Sequence, residues 1–114
     1  MLLRPAPSQA FDELVRVAVD RLRTTLAGAL DTVQFGVEDV PVLPDDWDAE
    51  VPLATHVRAT VRAGRGQNAR VVVYRLPVAQ RTRGRAETAA LVLDVLVDEI
   101  ADLLGRDPDE IDPR

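Results

Sequence analysis

The 114-residue chain contains no cysteine and no lysine, and its only histidine is His56. Without cysteine it can form no disulfide, no thiolate metal site and no cysteine nucleophile. Without lysine it can form neither a Schiff base nor the lysine–phosphate contact of a P-loop. Catalytic zinc is normally held by three protein ligands rich in imidazole, and a single histidine cannot supply such a set.

Long apolar runs are also missing. No stretch approaches the roughly 18 residues that span a bilayer, and the first residues lack the apolar centre of a signal peptide, so we expect a cytoplasmic protein without membrane contact. The chain is 46% apolar and 29% charged, as in an ordinary folded domain, and its length suits one domain. A net charge of -5 disfavours a nucleic-acid partner.

Apolar spacing predicts a helix near each end of the chain. Two prolines oppose regular structure in residues 1–7, which we expect to be a frayed lead-in to a single domain at 8–114. Apolar residues recur at helical spacing within 8–30 and again within 86–104, where Gly105 is placed to end the helix.

Between these helices the apolar period changes to two, which is typical of strands. Residues 32–40 predict a half-buried strand, and residues 57–62 and 71–74 predict a hairpin in which Val57, Ala59 and Val61 point inward. Trp47, in an acidic loop, is expected to cover the core. The chain is therefore predicted to have an α+β fold: an N-terminal helix, a sheet of three or four strands, and a C-terminal helix packed against the sheet.

Charge is unevenly distributed along the chain. Residues 51–86 contain eight arginines and no acid, whereas residues 87–114 contain nine acids and two arginines. We favour compensation between a basic hairpin and an acidic helix, because basic patches without interleaved aromatic residues seldom bind nucleic acid specifically. The alternative is an anion-binding surface, for which Arg58 and Arg62 are the candidates.

The last helix carries a column of carboxylates. Asp94, Asp98 and Asp102 are four residues apart and therefore lie on one side of the helix, opposite its apolar arc. Like charges at this spacing cost about 0.2–0.5 kcal/mol per pair. Arginine partners, a bound cation or solvent would each relieve that repulsion.

Several segments together resemble one known family, the small zincin-like metallopeptidases, a minimal zincin domain common in actinobacteria. The similar segments, in order, are residues 11–20, 31–41, 51–53, 70–75 and 93–105. They include a strand ending that matches the family's "VEDxP" and a strand that resembles its "RItiYR". The resemblance covers most of the chain and implies a minimal zincin-like fold whose last helix carries the active-site motif.

The motif itself departs from the family. Members carry HExxH, in which two histidines hold zinc and the glutamate takes a proton from metal-bound water. This chain reads DEIAD, so Glu99 keeps the position of the general base while Asp98 and Asp102 replace the zinc-binding histidines. The family's third ligand, an aspartate, falls on Pro108 here, and Asp109 is one residue further along.

These substitutions shape the leading hypothesis. A metal site made of Asp98, Asp102 and Asp109 would be weak, because carboxylates suit Mg²⁺, Ca²⁺ or Mn²⁺ better than zinc. Without a metal, Glu99 has no activated water to deprotonate. We therefore expect a zincin homologue that has lost zinc binding and peptidase activity, has no cofactor, and acts, if at all, through a protein or peptide partner.

Two alternatives stay open. One is an active metal-dependent hydrolase that holds a divalent cation weakly in a carboxylate-rich site and uses Glu99 as general base. The other is an anion-binding module that uses the arginine-rich hairpin, with Arg58 and Arg62 as the contacting residues. A homodimer is compatible with either. His56 is expected in a loop or on the exposed face of a strand, away from any ligand.

Overall fold

Residues 7–112 are described by the structure, a computed structural model, and they form four helices and five short strands. In chain order the elements are α1 (Pro7–Thr25), β1 (Gln34–Glu38), β2 (Ala54–Val57), β3 (Thr60–Arg62), β4 (Arg65–Gln67), β5 (Arg70–Tyr74), α2 (Arg75–Ala79), α3 (Gly84–Leu104) and α4 (Pro108–Ile111). This arrangement confirms the predicted α+β class. The lead-in predicted for residues 1–7 lies outside the described residues, except for Pro7, where α1 already begins.

Strand β5 is the centre of the main sheet, whose order is β1-β5-β2. Strand β1 is parallel to β5 and β2 is antiparallel to it, while β3 and β4 pair with each other in a separate ribbon. The predicted hairpin is therefore only partly right. The chain pairs with β5 through β2, leaves the sheet after Val57, and forms the ribbon before it returns at Arg70.

The pairing register decides which side chains of β2 face the core. His56 pairs with Val71 and Ala54 pairs with Val73, and paired residues lie on the same face of a sheet. Val71 and Val73 are fully buried, and α3 packs against both β2 and β5. Ala54 and His56 therefore lie on the helix-covered face.

The predicted inward orientation of Val57, Ala59 and Val61 is wrong. Val57 and Val61 are 43% and 81% exposed, because the alternation in β2 has the opposite phase and the ribbon projects into solvent. Trp47 also fails to cover the core. Its side chain is exposed, and its indole N–H donates to the carbonyl of Glu50 at 3.2 Å within the same loop.

The two long helices enclose the core together with the sheet. Helix α1 occupies most of the segment 8–30 in which a helix was predicted, and it ends at Thr25, after which residues 26–32 form turns. Helix α3 ends at Gly105 as predicted, with the glycine in the left-handed region at φ 65°. Buried Asp112 receives a hydrogen bond from Arg21 of α1 at 3.0 Å, which fixes the end of α4. Among the described residues, no helix combines the length and apolar character needed to cross a membrane.

The contact between α1 and the core predicts a difference between two substitutions on the same helix. Leu22→Ala removes a fully buried side chain and is expected to lower the free energy of unfolding by about 2–5 kcal/mol. Val17→Ala changes a side chain that is 54% exposed and is expected to stay within about 0.5 kcal/mol of the parent. Urea unfolding followed by circular dichroism measures both, and equal losses would contradict this packing.

Candidate functional site

The motif residues on helix α3 differ in their exposure to solvent. Glu99 is half-buried, with its side chain 22% exposed, whereas Asp98 and Asp102 are exposed. Neighbouring positions on a helix are about 100° apart, so Glu99 can face the sheet while Asp98 faces solvent. The carboxylate at the position of the family's general base is therefore the one turned toward the protein.

The group that meets Glu99 is the single imidazole of the chain. Nδ1 of His56, on β2, lies 2.5 Å from Oε2 of Glu99. The two atoms are within hydrogen-bonding distance, with an imidazole nitrogen facing a carboxylate oxygen. This contact orients the imidazole ring and involves only Nδ1, so the other ring nitrogen, Nε2, lies outside it.

The prediction for His56 is wrong, because its side chain is only 20% exposed and contacts the motif glutamate. Sequence reasoning missed it because the two residues are 43 positions apart and meet only through the register of β2 and the packing of α3. One signal was available. Ala54 and His56 are two residues apart, and a strand in that phase places both on the core side.

Tyr74, at the end of β5, belongs to the same neighbourhood. Burial raises the pKa of its hydroxyl above the ordinary value of 10.0, and the charges of Glu38 and Glu99 raise it further. Each carboxylate disfavours a second negative charge nearby, while Arg70 acts in the opposite direction. Tyr74 pairs with Glu38 in the sheet register, which explains their proximity.

An ion pair anchors this end of the sheet. Arg75, the residue after Tyr74, donates from Nε to Oδ1 of Asp39 at 2.9 Å, and the N–H of Leu76 donates to the carbonyl of Asp39 at 3.0 Å. The "VEDxP" ending and the end of the "RItiYR" strand are thus in direct contact. They hold Tyr74 in place beside the site.

The two predicted anion-binding arginines lie in different places. Arg58 reaches the C-terminal end of α3, where its guanidinium donates to the carbonyls of Asp102 and Leu103, both at 3.4 Å. A cation at the C-terminus of a helix is favourable because it meets the negative end of the helix dipole. Arg62 lies on the exposed ribbon, opposite Arg65.

The arginine-rich segment meets α3 in two ways. Arg58 donates to backbone carbonyls at the end of the helix, and His56 contacts the carboxylate of Glu99. Two other arginines of the segment form ion pairs with acids earlier in the chain, Arg75 with Asp39 and Arg81 with Glu50.

The side chains present do not fit the zinc site that the resemblance implies. Within residues 7–112, no group of three or more histidine, aspartate or glutamate side chains is placed to hold a metal ion. Asp98, Asp102 and Asp109 are all exposed, and Asp109 lies on α4, beyond the turn at Gly105. A zinc site needs three or four ligands converging on one point, with nitrogen or sulfur donors preferred.

The pKa of Tyr74 offers a direct probe of this site, because Tyr74 is the only tyrosine of the chain. Glu99→Gln is expected to lower the pKa of Tyr74, since removing a nearby negative charge makes tyrosinate easier to form. Glu38→Gln is expected to act in the same direction. Ultraviolet absorbance during a pH titration measures the change.

Glu87→Gln is the control for that titration, because Glu87 lies in the first turn of α3 and is not among the charges that act on Tyr74. If this control lowered the pKa of Tyr74 as much as Glu99→Gln, the assigned neighbourhood would be wrong.

Comparison with known proteins gives a match to a family model. None of the proteins with curated functions is similar enough to count as a match. A family model for zincin-like metallopeptidases matches residues 30–114, about three quarters of the chain, from the turns before β1 through α3 and beyond. The chain therefore belongs to the zincin-like metallopeptidase family.

Proposed function

We propose that this chain is a zincin-family domain that neither holds zinc tightly nor cleaves peptides, and that it acts by binding a protein or peptide partner. The contact between Glu99 and His56 carries the proposal. In that contact the only imidazole of the chain pairs with the glutamate at the general-base position, while Asp98 and Asp102 occupy the positions of the two histidine ligands.

The chemistry of the donors supports the loss of peptidase activity. Zinc lowers the pKa of its bound water to about 7, and that water is what the motif glutamate deprotonates. Two exposed aspartates are poor substitutes for imidazoles, because carboxylate oxygens prefer harder cations. Glu99 is moreover occupied by a protein hydrogen bond.

Zinc content tests this part of the proposal. The parent protein, purified without chelator, is expected to carry no stoichiometric zinc by elemental analysis. The double variant Asp98→His/Asp102→His places two imidazoles one helical turn apart and is expected to gain zinc. The single variant Asp98→His is the control, since one imidazole among carboxylates provides too few of the preferred donors.

One zinc held firmly by the parent protein would contradict the proposal, above all if the protein also cleaved peptides and Glu99→Gln abolished the cleavage. That combination would instead establish the metal-dependent hydrolase with Glu99 as its base. A melting temperature that Mn²⁺ raises in the parent protein but not in Asp98→Asn would also support the metal-dependent hydrolase.

Exposed apolar side chains indicate which face binds the partner. Five large ones lie in the loop of residues 40–51 and on α2, namely Val40, Val42, Trp47, Val51 and Leu76. Val40, Val51 and Leu76 line a groove of about 280 Å³ together with Pro41, Leu43 and Pro77. We call this the apolar groove. Clustered exposed apolar surface on a soluble domain commonly marks a site of protein interaction.

Carboxylates in the loop beside the apolar groove favour a partner with positive charge. The same loop carries four exposed acids, Asp45, Asp46, Asp48 and Glu50, of which Glu50 lies 3.8 Å from Arg81. A segment with apolar anchors and flanking basic side chains would therefore be complementary to the groove and its rim. The partner that this surface fits is a basic amphipathic peptide segment.

A synthetic amphipathic peptide of leucine and lysine is the probe for this surface. It is expected to bind and to change the fluorescence of Trp47, the only tryptophan of the chain, because that residue is exposed in the loop that contributes to the groove. Leu76→Ser is expected to weaken binding, and Val61→Ser, at an exposed valine on the ribbon, is the matched control. Equal binding of a leucine–glutamate peptide, or equal weakening by both variants, would contradict the proposed groove.

A further inference from the structure

A second concave surface lies where β2 ends and β1 and β5 begin. This is the opposite end of the main sheet from the apolar groove. Its volume is about 380 Å³, and its polar lining comes from Gln34, Arg58, Gly66, Gln67, Asn68 and Arg70. We propose that this pocket binds an oxyanion, a phosphate or carboxylate group of a small ligand. We call it the arginine pocket. This proposal is independent of whether α3 binds a metal.

The register of the main sheet assembles one wall of the arginine pocket. Arg70 is the central residue of a row, with Gln34 paired to it on β1 and Val57 paired to it on β2. Paired residues of adjacent strands point to the same face, so the guanidinium of Arg70 and the amide of Gln34 rise from neighbouring positions. Both side chains line the pocket.

The second guanidinium is held in place by the motif helix. Arg58 follows Val57 and donates to the carbonyls of Asp102 and Leu103 at the end of α3. These bonds restrict the long side chain before any ligand arrives, which reduces the entropy that binding would otherwise cost. Arg58 has further N–H groups, because a guanidinium carries five donors.

The lining of the arginine pocket is rich in donors and contains no acid. Two guanidiniums and the amides of Gln34, Gln67 and Asn68 converge on one concave surface, and none of the described side chains that line it is a carboxylate. Two like charges on one pocket repel each other, and an anion between them removes that repulsion. Bonds from guanidinium to phosphate or carboxylate are among the stronger hydrogen bonds in proteins.

The arginine pocket contains one of the two arginines that the sequence suggested for anion binding. Arg58 lines it, Arg62 lies further along the ribbon, and Arg70 supplies the second guanidinium. The sequence could not separate these arginines, because only the break between β2 and β3 turns the chain away from the sheet.

Inorganic phosphate at low ionic strength is the first probe, followed by nuclear magnetic resonance of the labelled protein. The amide signals of Gly66 and Asn68 are expected to shift with a saturable dependence on phosphate. Arg70→Gln is expected to weaken binding about tenfold, the loss of one charge-assisted hydrogen bond. Arg83→Gln, at an exposed arginine outside the pocket, is the matched control and is expected to leave affinity unchanged.

A parallel titration with acetate distinguishes the two sources of negative charge. Tighter binding of phosphate assigns the pocket to phosphoryl groups, and tighter binding of acetate assigns it to carboxylates. Arg58→Gln serves as a second variant, with circular dichroism to confirm that α3 stays intact. The proposal is overturned if Gly66 and Asn68 show no saturable shift, or if Arg83→Gln weakens binding as much as Arg70→Gln does.

Discussion

The packing of α3 against β2 is the contact on which the site depends. It brings His56 to Glu99 and places the guanidinium of Arg58 on the last carbonyls of the same helix. A side-chain pair from β2 thus reaches one end of the motif, and the side chain of Arg58, just after β2, bonds to backbone carbonyls at the other end. The core beneath this contact is apolar and closely buried, with Val71, Leu96 and Ile100 fully excluded from solvent. The motif helix therefore has a defined position even though its ligand positions hold aspartates.

A fold and the chemistry of the residues placed on it are separable. The helix, its terminating glycine, the central strand and the Asp39–Arg75 link form the framework of the zincin-like fold. What the framework lacks is a convergent set of preferred zinc donors among the described residues. Family membership thus accounts for the fold, whereas the donors at the motif positions decide which reaction the fold can support.

The uneven distribution of charge produces two surfaces of opposite character. Acids of the loop at 45–50 border the apolar groove, while arginines at the ends of β2 and β5 border the arginine pocket. Pairing Arg58 with a carboxylate of the acidic helix would have neutralised one guanidinium of the arginine pocket. Instead, Arg58 bonds to backbone carbonyls, and the carboxylates of Asp98 and Asp102 remain at the surface. Water screens the repulsion between these exposed carboxylates, so their proximity costs little folding stability.

Local pattern alone determined the class of the fold, both long helices, the glycine that ends α3, and the inventory of donors that excludes a histidine-rich zinc site. These features follow from spacing within a few residues, which a sequence displays directly. Only the tertiary structure decided the phase of β2, the separate ribbon, the pairing of His56 with Glu99 and the placement of Arg58 and Arg70 around one cavity. Each depends on register and packing between distant segments, and a shift of one residue in a strand would turn every side chain of that strand to the other face.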